Sequence, residues 1–248
     1  MGKEEIASFY DVFVDWPGRL GREVPGLLKR LHATGARRIL DAGCGTGRHV
    51  AALREKGFLA YGADASEEMV GRARAFGAPE WFCEWRMGDA PPAELKAPFD
   101  AAVCLGNTWS MLTGQHDVER AAAALRSLLR PGGSLLVGLK ALAIRKESGN
   151  PYLPLLRREH EGGRLYFVRF VDFDTSDADL CDFHMVVVRD DPDGRGPEEH
   201  RTRPMRVWSP EGLVRCFRQA GFADVRVSAR LGDPDVAPTS EDVFVHAS

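Results

Sequence analysis

The residues of this chain with chemistry to offer are three carboxylates at the ends of apolar runs, a glycine-rich turn and a few isolated cations. Asp41 precedes Gly43, Gly45 and Gly47, spaced two apart around Cys44 and Thr46. Glycine takes positive φ cheaply and lets a ligand approach the backbone without meeting a Cβ, so such a turn is built to receive one. Asp64 follows Gly43 by 21 residues and closes the apolar run from Phe58 to Ala63. A carboxylate there accepts two hydrogen bonds from a ribose diol and repels a phosphate. The third acid, Asp89, sits in Gly88-Asp89-Ala90. A cleft edged by three acids suits a cationic ligand better than a pyrophosphate. For a second ligand the residues themselves offer Tyr10 and Arg169. Arg169 alternates with Leu165, Phe167, Val171 and Phe173, and an arginine among apolar residues needs an anion, either a ligand or an acid such as Asp182. His184 shares a strand face with Asp182, which fits an oriented base or a satisfied structural histidine.

The elements that must position these groups follow from periodicity. Ile39 and Leu40 form a strand running into the glycine turn, a helix covers about 47–56, and a second strand ends at Asp64. Helix 67–75, a strand from about Trp81 to Met87, a buried strand 99–105 ending at Gly106-Asn107-Thr108, helix 116–129 and a strand from Ser134 to Leu139 continue the alternation. A βαβαβαβαβ order predicts a parallel sheet with helices on both faces and a ligand crevice at the carboxyl ends of its strands. Residues 7–31 read as an N-terminal helical cap in which Phe9, Tyr10, Asp11 and Trp16 could cover a ligand or pack on the core. Beyond Ala141 the rhythm becomes β-rich at 164–173, 180–189 and 203–209, with a polar turn at Asp190 to Gly196, which predicts an inserted antiparallel sheet. A helix opened by Ser209-Pro210-Glu211 and closed by Gly221 precedes a terminal hairpin of Val225–Ala229 and Val243–His246.

The 248 residues, 44% hydrophobic and 28% charged, suit a single globular domain. A net charge of −3 lacks the basic footprint of a nucleic-acid binder. No stretch approaches the roughly 20 apolar residues of a membrane span, and the N-terminus opens charged, so a cytoplasmic protein is expected. The five cysteines are odd in number and include no CxxC pair, so no metal site is expected.

The pattern Gly43-x-Gly45-x-Gly47 differs from the dinucleotide fingerprint, whose third glycine would fall at Arg48. With Asp41, Asp64, Gly88-Asp89-Ala90 and Leu129-x-Pro131-Gly132-Gly133, residues 37–140 strongly resemble the class I S-adenosylmethionine-dependent methyltransferases, and Leu105-Gly106-Asn107 with the β-rich insertion resembles their glycine/sarcosine N-methyltransferase group. The resemblance implies a Rossmann-like doubly wound sheet of seven strands, with a cap over 1–35, a core over 36–140 and 209–248, and an insertion over 141–208 covering the acceptor. It implies S-adenosyl-L-methionine as cofactor, S-adenosyl-L-homocysteine as product and a monomer or homodimer acting on a small molecule. By the same resemblance Gly43, Cys44 and Gly45 offer backbone to the methionine part and Asp64 binds the ribose. Asp89 meets the adenine amino group with the Ala90 backbone and Met69 near the ring, the Leu105 carbonyl lies near the sulfonium and methionine end, and Asp41, Ala65 and Gly88 complete the cofactor site. The glycine enzymes carry a histidine where this chain has Met111, which argues against glycine as the acceptor, and a carboxylate-gripping arginine where it has Lys140, so the resemblance adds Asn107 and Lys140 to the acceptor-side candidates Tyr10 and Arg169. The expected reaction is methyl transfer to an amine nitrogen, amino-acid-like acceptors included. O-methylation of a carboxylate or hydroxyl, and cofactor binding without catalysis, are the alternatives.

Overall fold

The computed structural model describes residues 10–190, 198–235 and 242–248. After a helical turn at 10–13, helix α1 (Trp16–Ala33) is capped by Asp15, whose side chain accepts from the Gly18 N–H at 3.1 Å. The doubly wound core then runs β1 (Arg38–Ala42), α2 (Arg48–Glu55), β2 (Leu59–Asp64), α3 (Glu67–Ala73), β3 (Phe82–Glu84), β4 (Phe99–Cys104), α4 (Gln115–Leu128) and β5 (Leu129–Lys140). Helix α5 (Leu142–Ser148) leads to β6 (Leu156–His160), β7 (Gly163–Asp172), β8 (Leu180–Asp190) and β9 (Glu198–Arg206). Helix α6 (Pro210–Gln219) and strands β10 (Val225–Ser228) and β11 (Asp242–Ala247) complete the chain.

One sheet has seven strands in the order β10-β11-β5-β4-β1-β2-β3, parallel from β5 to β3 and closed by the antiparallel β10–β11 pair. Strand alternation sends side chains to opposite faces. Ile39, Val103 and Leu136 therefore pack with Leu27 and Leu31 of α1 and Val50 and Leu53 of α2. Leu40, Ala102 and Leu135 pack with Val118 and Leu125 of α4 and Phe217 of α6. Both faces of the central strands are buried, as a parallel sheet requires. The second sheet, β6-β7-β8-β9, is wholly antiparallel.

The differences from expectation are local. Strand β3 stops at Glu84 and not near Met87: the Trp85 N–H makes a last bond to β2, at the Asp64 carbonyl (2.9 Å), and its indole donates to the Asp89 carbonyl at 3.2 Å. The Pro131-Gly132-Gly133 segment is a bulge inside β5: the register jumps from Phe99↔Leu129 to Ala101↔Ser134 while Arg130 pairs with Asp100. Strand β6 and helix α5 are absent from the periodicity reading; β6 reads Leu-Arg-Arg-Glu-His, too charged for a strand signal. The polar turn at Asp190 to Gly196 falls, beyond Asp190, outside the described residues. No helix among the described residues is long and apolar enough to cross a membrane.

Candidate active site

The turn after β1 takes left-handed backbone at Gly43 (φ 79°), Gly45 (φ 54°) and Gly47 (φ 75°). The Gly43 and Cys44 N–H groups donate to the Ala63 carbonyl at 2.7 and 3.0 Å, which ties the turn to the end of β2. Asp64 completes it: one carboxylate oxygen accepts from the Gly45 N–H at 2.9 Å and the other from the Ser66 N–H at 3.0 Å. Asp64 thus holds the turn while each oxygen keeps a lone pair for a ligand. Burial nevertheless leaves its carboxyl above the usual range.

The N-terminal cap closes over this turn. Tyr10 lies across Gly45, where a Cβ would come within 3.6 Å of its ring. Asp11 accepts from the Trp16 indole at 2.7 Å and from the Thr46 hydroxyl at 2.9 Å. Beneath, Arg19 and Glu23 of α1 pair at 3.1 Å and Glu23 meets His49 at 2.7 Å, with His49 only 3% exposed. Arg19 also lies against Gly106 at the end of β4 and bonds the Tyr10 hydroxyl. Sequence reading missed Arg19, Glu23 and His49. A signal existed: Trp16, Arg19, Glu23 and Leu27 fall on one helical stripe, so an i,i+4 ion pair interrupts a buried face.

The Asp41 side chain forms no hydrogen bond among the described residues although the residue is 2% exposed, and its Oδ2 is shut off from solvent. Desolvation lifts its carboxyl from 3.8 to about 6, against the opposing pull of His49 and Arg19. The folded protein therefore keeps a proton that the unfolded chain releases near 3.8. The resulting stabilisation is complete below that pH and disappears as pH rises through about 6. Asp41→Asn, neutral throughout, is expected to gain on the order of 2 kcal/mol over wild type at pH 8 and almost nothing at pH 4. Urea unfolding at the two pH values checks this; a pH-independent difference would contradict it.

The remaining predicted positions divide into two groups. Met69 lies on α3, whose N-terminus is capped by Ser66 through the Met69 N–H, and with Ala65 it follows Asp64 at the crevice edge. Gly88, Asp89 and Ala90 follow β3; Asp89 is exposed and 3.7 Å from Arg120. Cys44 is 4% exposed and its sulfur lies against Gly62, so only its backbone faces the turn. The Leu105 carbonyl accepts from the Thr108 hydroxyl at 3.0 Å. The acceptor candidates fare differently. The Asn107 side chain is occupied at both ends, accepting from the Lys140 N–H at 2.9 Å and donating to the Met205 sulfur at 3.2 Å. It ties β5 to β9. Lys140 is not free for a substrate carboxylate, because its ammonium pairs with Asp242 across β5–β11 at 2.7 Å. His184 faces away from Arg169, since Phe170 and not Arg169 is its register partner; it contacts His200 and Thr202 at 3.0 Å on the exposed face. Met111 touches Arg203 of β9 at 2.7 Å.

The chain that builds this arrangement is similar to known proteins. Residues 39–133 match the model of a methyltransferase domain. That match runs from β1 to the Pro131-Gly132-Gly133 bulge of β5. The glycine/sarcosine N-methyltransferase of Halorhodospira halochloris is 33% identical over 134 residues, which cover 52% of this chain and 49% of that protein. The glycine N-methyltransferase of Oryctolagus cuniculus is 30% identical over 150 residues, 54% of this chain and 51% of that protein. The chain thus spans about half the length of the curated relatives it matches. In the solved structures the likeness extends over the whole fold. An amino pentose methyltransferase from Micromonospora echinaspora superposes with a TM-score of 0.73 at 19% identity, covering 100% of this chain and 97% of the other. A methyltransferase from Clostridium acetobutylicum gives 0.72 at 14% identity, covering 98% and 96%.

The methyltransferase domain's cofactor fits the residues present. An unpartnered carboxylate oxygen at Asp41 suits the ammonium of a methionine part. Asp64, with a lone pair left on each oxygen, suits a diol.

Proposed function

We propose that this protein transfers the methyl group of S-adenosylmethionine to an amine nitrogen of a small molecule. When bound, the cofactor supplies an electrophilic methyl on a sulfonium. The chain has to align an acceptor with that methyl and exclude water. Alignment of reacting groups contributes roughly 7–11 kcal/mol in favourable cases, with no acid or base taking part. Tyr10 and Trp16 close the site: Trp16 is 6% exposed, and burial keeps the Tyr10 hydroxyl protonated.

The observation that carries the amine reading is that, among the described residues, no histidine at the turn is free to act as a base. His49, the histidine next to it, is locked by Glu23, and His184 is on the far face of the inserted sheet. A hydroxyl acceptor needs its proton taken during attack. An amine of pKa near 10.4 needs only prior deprotonation, which a dry site favours by lowering that value. The named relatives, glycine, sarcosine and amino pentose methyltransferases, act on molecules that share an amine. Full-length protein incubated with labelled S-adenosylmethionine and matched amines, alcohols and carboxylates tests the reading, with the methylated atom identified by mass spectrometry and NMR. N-methyl products are expected. Products methylated only on oxygen, or cofactor binding without transfer to any acceptor, would overturn it.

A further inference from the structure

The inner face of the four-stranded sheet carries guanidinium groups that methyl transfer does not use. Arg169 of β7 pairs in register with Met185, and Arg158 of β6 with Leu165, on the same face as buried Phe167 and Val171. Arg169 donates one hydrogen bond, from Nη2 to the Pro154 carbonyl at 2.8 Å. Its guanidinium lies 5.3 Å from the Phe13 ring, and its Nε is shut off from solvent with no acceptor. Arg158 reaches the Phe13 carbonyl at 3.4 Å. Arg145 of α5 reaches the carbonyls of Asn150 and Tyr152, beside Pro154. Three cations thus converge on the corner formed by Phe13 and residues 150–154, bonded only to carbonyls and, among the described residues, paired with no carboxylate.

The expected acids are elsewhere. Asp182 lies on the other face, opposite Asp172. Asp11, which shares with Arg158 a cavity of about 380 Å³, is committed to Trp16, Thr46 and Arg48. Burial, with repulsion from Arg158 and Arg145, pushes Arg169 down to about 10. A corner of mutually repelling, half-desolvated guanidinium groups is completed by an oxyanion, which a guanidinium fork binds through two hydrogen bonds.

We propose that Arg169, Arg158 and Arg145 form an oxyanion subsite on the inserted sheet, so that the acceptor is an amine carrying a carboxylate or phosphate. The proposal rests on the amine reading above. It also sets a spacing. Tyr10 covers Gly45, whereas Arg169 meets Phe13, one helical turn or about 5 Å further on. Arg169 thus meets the cap a helical turn beyond the residue that covers the glycine turn, which suits an amine and an anion several bonds apart and not on one carbon. Lys140, the other cation expected to take such a group, is already spent on Asp242.

The test starts with binding, which needs no acceptor. In the full chain with S-adenosylhomocysteine, arginine Nε–H resonances are followed while acetate, and separately inorganic phosphate, is added. A saturable shift of the Arg169 resonance is expected, at lower concentration for whichever anion class the site prefers, and Arg169→Lys weakens it. A shift no different from that given by chloride overturns the proposal, and this wild-type result stands even where Arg169→Met fails to fold. In turnover, Arg169→Met is expected to raise KM for anionic amines roughly tenfold to a hundredfold, with kcat and the KM of their uncharged amides near wild type. An equal change for charged and uncharged acceptors also overturns it. Saturable anion binding without methylation of any amine would instead remove the amine reading and leave the subsite standing.

Discussion

Asp64→Ala is expected to weaken S-adenosylmethionine binding by roughly a hundredfold or more, the loss of about 3 kcal/mol that two hydrogen bonds to a carboxylate carry. The structure gives two reasons for an effect of this size. Both oxygens of Asp64 are aimed by backbone N–H groups, of Gly45 and Ser66, so the carboxylate is fixed before any diol reaches it. The same bonds hold the glycine turn against β2, and alanine leaves both donors unpaired. Asp64→Asn keeps the shape and one acceptor, and is expected to fall between, near tenfold. Titration calorimetry of the two variants, with thermal unfolding of each as a control on folding, separates loss of the ligand contact from loss of the turn. Undiminished affinity in Asp64→Ala would remove Asp64 from the cofactor site.

Gly47→Val is expected to cost at least about 3 kcal/mol of stability. Gly47 begins α2 at φ 75°, a conformation that a β-branched residue strongly resists. A Cβ there would also lie 2.8 Å from the Phe82 ring and 2.9 Å from the Ala73 methyl, both buried. Backbone strain and overpacking act together, and for a chain of this length the sum corresponds to a fall in Tm on the order of 10 °C. Gly45 provides the contrast. Its Cβ would meet only the Tyr10 ring at 3.6 Å, an ordinary contact, so Gly45→Ala suffers mainly from its positive φ and is expected to lose about 1 kcal/mol. Chemical denaturation of the two variants distinguishes a turn fixed by packing from one fixed by backbone conformation alone. Equal losses at the two positions would contradict the packing described here.

Much of the core was legible because its signals are local. Each apolar run that enters the parallel sheet is bounded by glycine, proline or an acid, so β1, β2, β4 and β5 could be placed from a few residues apiece, and the Asp41–Gly47 turn declared its geometry through its glycines. Ser209-Pro210 located α6 for the same reason, through a cap whose hydroxyl accepts from Gly212 three residues on. The acceptor side was far less legible. Strand β6 carries two arginines, a glutamate and a histidine in five residues, and only its pairing with β7 makes it a strand.

The sequence by itself determined the class of fold, the glycine turn and the acids beside it, Asp41 and Asp64, because each depends on turn chemistry and periodicity within about ten residues. Only the tertiary structure decided which charged groups are free. Lys140 lost its candidacy to Asp242, a residue 102 positions away. His184 lost its place by strand register, which turned it to the exposed face, and Arg19, close to the turn, is taken up by Glu23 four residues on. Arg169 kept its candidacy because the sheet put Asp182 on the wrong side of it. A charge is available to a ligand only when no other part of the chain neutralises it, and that depends on contacts between segments far apart in sequence.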